Sequence, residues 1–588
     1  MEFSQYVKDA VASVDYVKRD RDFNAISLIR GAAEKATTDL DTHILDVIAG
    51  SMTMAYKKKE QVFAPLFVEY GGGRSFGPED LSEEDIEILR TFARMTASSV
   101  LQAKFSHIVW TLTKECIFAQ LAVTGYLNAF EQTFDPVHWV SCFDKIQAAY
   151  CIASAMGKKG AIFKQTHATI LRKLEELNGT DPLFLSIRLL KLVHKDIGKE
   201  ELEKFATIAE IIFNKNTDSG NDNTHLTDES IAVLEPIYKR MGRDTDIKTA
   251  KAQYAGYYEI QARKRAEKLD YLRAVHLMKN ACLHYVGVDR DKLLSLRLEM
   301  EVWQKRMLKE LKPLRTKIDI KDYVRTIDLM FEGLTVEEAI IQFGRISRVY
   351  KVEEVKQQLL AEQDEQFCSA MFGSVLLNDQ GHSVQQLQPI GDTGEDSNAF
   401  FNHMVRYVAE RRKFHAILVD IAFQRLQQYG NISEADLDIL VQNNPMIPAN
   451  RVEIIREGLY LALNGKLYSA MHILQPQTEN IFRRLVRMCG DTVTFLKEDG
   501  TEEFKPLSAL FKSDKLTECY DEDLIFTFRS IMDEPAGENL RNLNGHGLLE
   551  PAEGNGSGAL YFVSLLIKLL SYYGKQARDV HIKLARKT

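Results

Sequence analysis

Hydrophobic residues recur at helical spacing along most of the chain. Near the N-terminus the apolar positions on one face are Val7, Ala10, Val11 and Val14. Because residues three and four positions apart share one face of an α-helix, this spacing predicts amphipathic helices. The same pattern returns in residues 271–282 and 452–463. The sequence therefore predicts a mainly α protein.

Two breaks in this pattern indicate domain boundaries. Residues 214–224 are polar turn formers without an apolar anchor, and Pro445 and Pro448 prevent a helix from continuing farther along the chain. A chain of 588 residues also exceeds what one hydrophobic core usually supports. We therefore predict three helical domains, which cover residues 1–214, 228–440 and 441–588.

The last predicted domain has the pattern of a helical bundle with a small β-hairpin insert. Its first helix ends at Asn464 and Gly465, because glycine commonly follows the last turn of a helix. Pro476 predicts a break before a further helix that Thr478 begins as its N-cap. Alternating apolar and polar residues in 492–504 predict the hairpin.

The most apolar segment of the chain, Ala559 to Tyr573, is too short to cross a bilayer and contains Lys568. It predicts a buried helix at the centre of the last domain or at a dimer interface. The first residues contain early charges and lack the apolar segment of a signal peptide. We therefore expect a cytoplasmic protein that does not contact membranes.

Composition narrows the possible functions. Hydrophobic residues make up 45% and charged residues 27% of the chain, as in ordinary globular proteins. The net charge of -8 argues against a protein that coats nucleic acid over its whole surface, so any contact with nucleic acid must be local. The seven cysteines form no Cys-x-x-Cys pair, and we predict no metal site and no cofactor.

Residues 538–547 contain the candidate chemistry. Cleavage of RNA by an internal 2'-hydroxyl requires a group that transfers a proton near neutral pH and a permanent cation beside the phosphorane oxygens. His546 and Arg541 are such groups, and this chemistry needs no metal ion. Residues five apart on a regular helix point about 140° apart. Gly545 and Gly547 allow the helix to break so that the two side chains converge.

The motif formed by Arg541, Asn542 and His546 resembles the Arg-Asn-x-x-x-His signature of HEPN ribonucleases. Residues 457–480 and 540–547 are also similar to a C-terminal domain family shared by bacterial proteins and the eukaryotic endoplasmic-reticulum-membrane-associated RNA degradation protein. The resemblance covers about the last quarter of the chain. It implies a metal-independent endoribonuclease that acts on RNA and leaves 2',3'-cyclic phosphate ends.

The same resemblance implies roles for individual residues and for an assembly. His546 would transfer the proton, Arg541 would stabilise the transition state, and Asn542 would orient one of them or the phosphate. The active site would be shared across a symmetric homodimer. Glu479 and Arg483 match a glutamate and a basic residue that often support HEPN sites. The alternative for this pair is an ordinary ion pair between helix positions four apart.

Two functions fit these observations. The first is an endoribonuclease of a defence system, a toxin or a stress response, whose helical N-terminal part restrains or targets the nuclease. A regulatory or inhibitory protein partner is compatible with this function, but the sequence does not identify one. The alternative is a non-catalytic helical interaction protein with an inert HEPN-like domain. A nucleotide-modifying enzyme is not supported, because the chain has neither a phosphate loop nor a metal cluster.

Overall fold

The computed structural model describes the whole chain except residues 20–21, 59, 69–72, 183, 219, 314–316, 366–371, 391–393, 395–396 and 587–588. The described residues are mainly helical, as the hydrophobic pattern predicts, and the strands form two-stranded antiparallel hairpins. The chain divides into an N-terminal unit, Met1–Trp303, and a C-terminal unit, Gln304–Thr588.

Among its described residues, the N-terminal unit is a succession of helices interrupted by one hairpin. Its helices are Gln5–Ala12, Phe23–Ala33, Asp39–Thr53, Glu83–Met95, Ser99–Thr113, Cys116–Gln132, Val140–Met156, Ala161–Leu177, Leu185–Val193, Leu202–Asn216, Thr224–Met241, Asp244–Glu267 and Tyr271–Tyr285, with a short 3-10 turn at Pro78–Asp80. The helix Arg290–Met307 contains the division point. The strands are Ala55–Lys57 and Val62–Ala64.

The C-terminal unit contains two hairpins between its helices. The helices are Lys321–Phe331, Val336–Ile346, Val352–Glu365, Asn398–Leu426, Asp438–Val441, Val452–Leu463, Leu467–Met488, Leu507–Leu510, Asp514–Cys519, Glu522–Met532, Leu540–Gly545, Pro551–Gly554, Ser557–Tyr573 and Lys575–Ala585. Short 3-10 turns lie at Gln427–Tyr429, Ala435–Leu437 and Ala449–Arg451. The strand pairs are Ser374–Leu377 with Ser383–Leu387, and Thr494–Leu496 with Glu502–Phe504. The second pair confirms the predicted hairpin.

The boundaries predicted at 214–228 and 440–441 do not coincide with the division into two units. At the first, Thr227 Oγ1 donates to the carbonyl of Asn216 and the Asn216 amide donates to Ser230 Oγ, so the helices on either side of the polar loop are joined. At the second, one hydrophobic core includes buried residues from Ile327 to Leu584. At the second point the core therefore continues past the prolines.

The break predicted at Pro476 is wrong, because one helix runs from Leu467 to Met488 with the proline inside it. Proline in a helix interior costs about 3 kcal/mol, since it removes one backbone hydrogen bond and crowds a carbonyl. Leu474 and Ile481 are buried on either side of the proline and pack into the core. Their burial favours a continuous helix, which holds Glu479 at a fixed place relative to the core.

The helix Ser557–Tyr573, called here the central helix, confirms the buried helix predicted from residues 559–573. Its Ser564 Oγ donates to the carbonyl of Phe343 at 2.8 Å, and its Tyr561 hydroxyl donates to the carbonyl of Arg348 at 2.6 Å. Lys568 donates to the carbonyl of Ser347, and burial lowers the pKa of Lys568 to about 8. No helix within the described residues is long and apolar enough to span a membrane.

Candidate active site

The helix Leu540–Gly545, called here the motif helix, ends where the two glycines predict a break. Leu540 is buried and anchors its first turn. Gly547 has φ +68°, and the N–H of Leu548 donates to the carbonyl of Leu543 at 2.7 Å. This left-handed residue closes the helix in the manner common for glycine. His546 therefore follows the helix instead of continuing it.

Arg541 is held by an ion pair to the long helix Leu467–Met488. Its Nε donates to Glu479 Oε2 at 2.7 Å, and Arg483 Nη2 donates to Glu479 Oε1 at 2.8 Å. The Glu479 side chain is only 13% exposed, whereas that of Arg541 is 31% exposed. One shielded carboxylate therefore binds two guanidinium groups. The structure joins the two predicted supporting residues to the predicted catalytic arginine.

Asn542 fixes the motif helix and contacts Arg541. Its Nδ2 donates to Asn539 Oδ1 at 2.6 Å and to the carbonyl of Asp533 at 3.2 Å. Its Oδ1 accepts from Arg541 Nη1 at 3.2 Å. Asn539 adopts a left-handed conformation with φ 54°, which asparagine tolerates better than most residues. The bonds to Asn539 and Asp533 fix the Asn542 side chain, and its bond to Nη1 helps to orient the guanidinium of Arg541.

His546 lies at the surface beside this network. Its side chain is exposed, and its backbone N–H donates to the carbonyl of Asn542 at 3.1 Å. Within the described residues no hydrogen bond joins the imidazole to Arg541. A side chain built at Gly545 would lie 3.8 Å from Arg541 Nη1, so the guanidinium lies along the end of the helix that His546 follows. The structure thus places Arg541, Asn542, Glu479 and Arg483 together and leaves His546 open to solvent.

A cleft of about 360 Å³ opens beside Arg541 and Asn542. Its polar walls also include Arg529, Lys512 and Asp533. Arg529 Nε donates to Glu534 Oε1 at 2.6 Å, which balances part of this charge. A water molecule occupies about 30 Å³ of liquid, so the cleft has the volume of several water molecules. That space is large enough for a small polar group such as a phosphate with its sugar. The Arg541 side chain, which is partly exposed, borders this space.

Asp533 belongs to the cleft, although sequence reasoning did not select it. Burial, and secondarily the neighbouring carboxylate of Glu534, raises the pKa of Asp533. The positive charges of Arg529 and Arg541 oppose this shift, and the charge of Glu479 adds to it. A carboxyl group with a raised pKa holds a proton more readily than an exposed one. The signal in the sequence is the acidic pair immediately before Pro535, eight residues ahead of Arg541.

A buried ion pair supports the segment that precedes the motif helix. Arg412, which is 1% exposed, donates from Nε and Nη2 to the two carboxylate oxygens of Glu538 at 2.7 and 2.6 Å. Its Nη1 also donates to Ser530 Oγ at 2.9 Å. Gly537 lies so close to the carbonyl of Ser530 that a Cβ atom there would be 1.8 Å from the oxygen. The ion pair at Glu538 and the close packing at Gly537 therefore fix the backbone that precedes Arg541.

Comparison with known proteins finds a likeness to a family model whose function is not known. Residues 5–165 match the profile of a domain of unknown function, DUF7380. No curated protein matches the chain, and no solved structure matches it. The matched segment covers about a quarter of the chain and lies within the N-terminal unit. It does not include the candidate active site.

Proposed function

We propose that this protein is a HEPN-type endoribonuclease that cleaves RNA without a metal ion. The observation that carries the proposal is the orientation of Arg541, which Glu479 and Asn542 hold beside an open polar cleft. The hydrogen bonds to these two partners use two of the five N–H donors of a guanidinium. Within the part of the chain that the structure describes, no hydrogen bond uses the remaining donors, and the proposal assigns them to the oxygens of a phosphate group. The resemblance of the motif to HEPN ribonucleases supplies the reaction class.

The reaction proceeds by attack of the ribose 2'-oxygen on the adjacent phosphorus. The new bond joins the 2'-oxygen to phosphorus, the bond from phosphorus to the 5'-oxygen breaks, and the products carry a 2',3'-cyclic phosphate and a 5'-hydroxyl. The proton of the 2'-hydroxyl passes to a general base, and the 5'-oxygen takes up a proton from a general acid; His546 carries out one of these two transfers and water the other. Arg541 stabilises the negative charge on the phosphorane oxygens. Asn542 orients Arg541, and Glu479 with Arg483 supports it.

We further propose that the active form is a homodimer in which two motifs face each other. His546 and Leu548 flank Gly547 in the sequence, and both are exposed, Leu548 to 61%. A second copy that packs on Leu548 would bury this apolar side chain and bring another His546 near the cleft. RNA is the proposed substrate, the cytoplasm is the proposed location, and defence or stress response is the proposed setting.

The decisive experiment is incubation of the purified full-length protein with labelled RNA in EDTA. We expect cleavage with 2',3'-cyclic phosphate ends, which mass spectrometry of the products detects. Loss of cleavage in EDTA, or 3'-hydroxyl ends, would contradict the proposed chemistry. If no RNA is cut and the His546→Gln protein behaves like the wild type in every assay, the alternative of an inert interaction domain is favoured instead.

A further inference from the structure

A second cleft in the C-terminal unit is lined by cations. Its volume is about 380 Å³, and its charged and amide side chains are Arg451, Arg483, Arg484, Arg487, Asn450 and Asn480. The remaining lining residues are Pro448 and Met488, so no carboxylate lines it. We call it the arginine cleft. In a chain with a net charge of -8, four arginines around one small space form a local site for a polyanion.

The local sequence explains how the arginine cleft forms. Three of the arginines lie on the helix Leu467–Met488. Arg484 directly follows Arg483, and Arg487 lies four positions after Arg483 and three after Arg484. These spacings place the three side chains on one side of the helix. Arg451 ends the 3-10 turn Ala449–Arg451, which follows Pro448. Arg484 Nε donates to the carbonyl of Pro445 at 2.8 Å and holds this turn against the helix. The turn that follows Pro445 and Pro448 thus adds Arg451 to the cleft beside the three arginines of the helix.

The arginine cleft is connected to the candidate active site by one residue. Arg483 belongs to the cleft and also donates to Glu479, which in turn accepts from Arg541. Only one carboxylate separates the two guanidinium groups. A phosphodiester chain bound in the arginine cleft would therefore lie near Arg541, the residue proposed to bind the scissile phosphate.

An exposed aromatic ring lies next to the same arginine. Phe504, on the hairpin, is 62% exposed, and the guanidinium of Arg483 lies 5.3 Å from its ring centroid. Arg483 Nη1 also donates to the carbonyl of Lys505 at 3.1 Å, which fixes the hairpin beside the cleft. Cations that follow a backbone, together with an aromatic face that stacks a base, are the common features of single-strand binding.

We propose that the arginine cleft and Phe504 bind the phosphate backbone and one base of single-stranded RNA. The proposal deepens the proposed function and rests on it for the identity of the substrate. The four arginines contact successive phosphates, and Phe504 stacks a base that is not paired. Arginine suits this role because its planar fork binds phosphate oxygens in pairs. The site selects unpaired RNA, since a base within a duplex cannot stack on a protein ring.

The salt dependence of binding tests the phosphate contacts. The full-length His546→Ala protein and a fluorescein-labelled single-stranded 20-nucleotide RNA are titrated in EDTA at several salt concentrations. Each phosphate contact contributes about -0.7 to the slope of log K against log salt for single strands. Replacement of Arg451, Arg484 and Arg487 by alanine should make that slope less negative by about 2. An unchanged slope would overturn the proposal.

A matched control removes three exposed cations elsewhere in the C-terminal unit, namely Lys309, Lys321 and Arg325. These substitutions change the net charge by the same amount, so the slope should stay close to that of the parent protein. If the control loses as much slope as the cleft variant, binding follows net charge and the proposed site is refuted. Circular dichroism melts of both variants verify that they fold.

The stacking contact is tested by two substitutions in one hairpin. Phe504→Ala should weaken binding of the single strand by roughly fivefold or more, because stacking contributes about 1–3 kcal/mol per base. Phe495→Ala removes the same ring from the neighbouring strand, where Phe495 pairs with Glu503 and points to the other face. It should leave binding unchanged. Equal effects of the two substitutions would overturn the stacking role.

Comparison of binding with cleavage separates this inference from the proposed function. If RNA is cut with cyclic phosphate ends but the cleft variant binds like its parent, only the arginine cleft proposal fails. If binding depends on the cleft but no RNA is cut, the proposed function fails. If the parent binds a duplex as tightly as the single strand and Phe504→Ala changes neither, the selectivity for unpaired RNA is refuted.

Discussion

Replacement of Arg541 by alanine should abolish cleavage while it leaves the protein folded. The substitution removes the 2.7 Å bond to Glu479, but Arg483 still donates to the other oxygen of that carboxylate at 2.8 Å. A hydrogen bond between charged groups contributes about 1.5–3 kcal/mol, and solvent screening reduces this at a side chain that is 31% exposed. We therefore expect the free energy of unfolding to fall by only about 1 kcal/mol.

The catalytic cost should be much larger than the structural cost. Loss of one preorganised group that stabilises transition-state charge typically reduces kcat by about 10²- to 10³-fold, or roughly 3–4 kcal/mol. Arg541→Lys should lose most of the activity as well, because an ammonium cannot contact Glu479, Asn542 and a phosphate in the geometry of a planar fork. These variants should therefore lose most of their activity without a comparable loss of stability.

The measurements are single-turnover cleavage of end-labelled RNA in EDTA and thermal melts of the same preparations. Arg578→Ala is the matched control, since Arg578 is exposed in the same unit and lies outside both clefts. It should cut and melt like the wild type. Wild-type rates for Arg541→Lys, or a loss of activity no greater than the fraction of unfolded protein, would refute the role assigned to Arg541.

Three further outcomes are expected. His546→Ala should reduce cleavage by about 10²- to 10⁴-fold with an unchanged melting temperature, because the side chain is exposed; cleavage near the wild-type rate would exclude it as the proton-transfer group. Asp533→Asn should stabilise the protein at pH 7. The raised pKa of Asp533 means that folding favours its protonated form, so its contribution is fully present below the ordinary value of 3.8 and is lost as pH rises through the folded pKa. Melts of the two proteins should therefore converge at low pH, and a constant difference would contradict this reasoning. Arg412→Ala should destabilise the protein by about 3–5 kcal/mol in denaturant titrations, because it leaves Glu538 unpaired; a midpoint equal to that of the wild type would show that the ion pair between Arg412 and Glu538 is dispensable.

The sequence predicted the features that depend on local chemistry. The motif helix ends beside Gly545 because the spacing of the glycines permits a left-handed closure at Gly547, and that conformation is a property of single residues. The hairpin at 494–504 follows from alternation over a few positions. The family resemblance suggested Glu479 only as a supporting residue. Its bond to Arg541 has no local signal in the sequence, since 62 residues separate the two.

The features that the sequence did not predict depend on packing between distant segments. The helix continues through Pro476 because buried neighbours outweigh its local cost. Asp533 joins the cleft only because Arg412 and Gly537 fix the loop that follows it. Four arginines form one cleft only when the turn at Arg451 lies near three arginines that are more than thirty residues farther along the chain. The spacing of residues along the chain does not indicate these contacts.

The bonds between the central helix and residues 343–348 limit how the C-terminal unit can be exchanged between genes. The helix that carries Tyr561 and Ser564 is covered by a segment more than two hundred positions earlier. We expect a recombination event near residue 441 to yield an insoluble product, since it would deprive the apolar central helix of its partner. Transfer of this unit to another protein, in nature or in the laboratory, should therefore give a folded product only when residues 304–588 are transferred together.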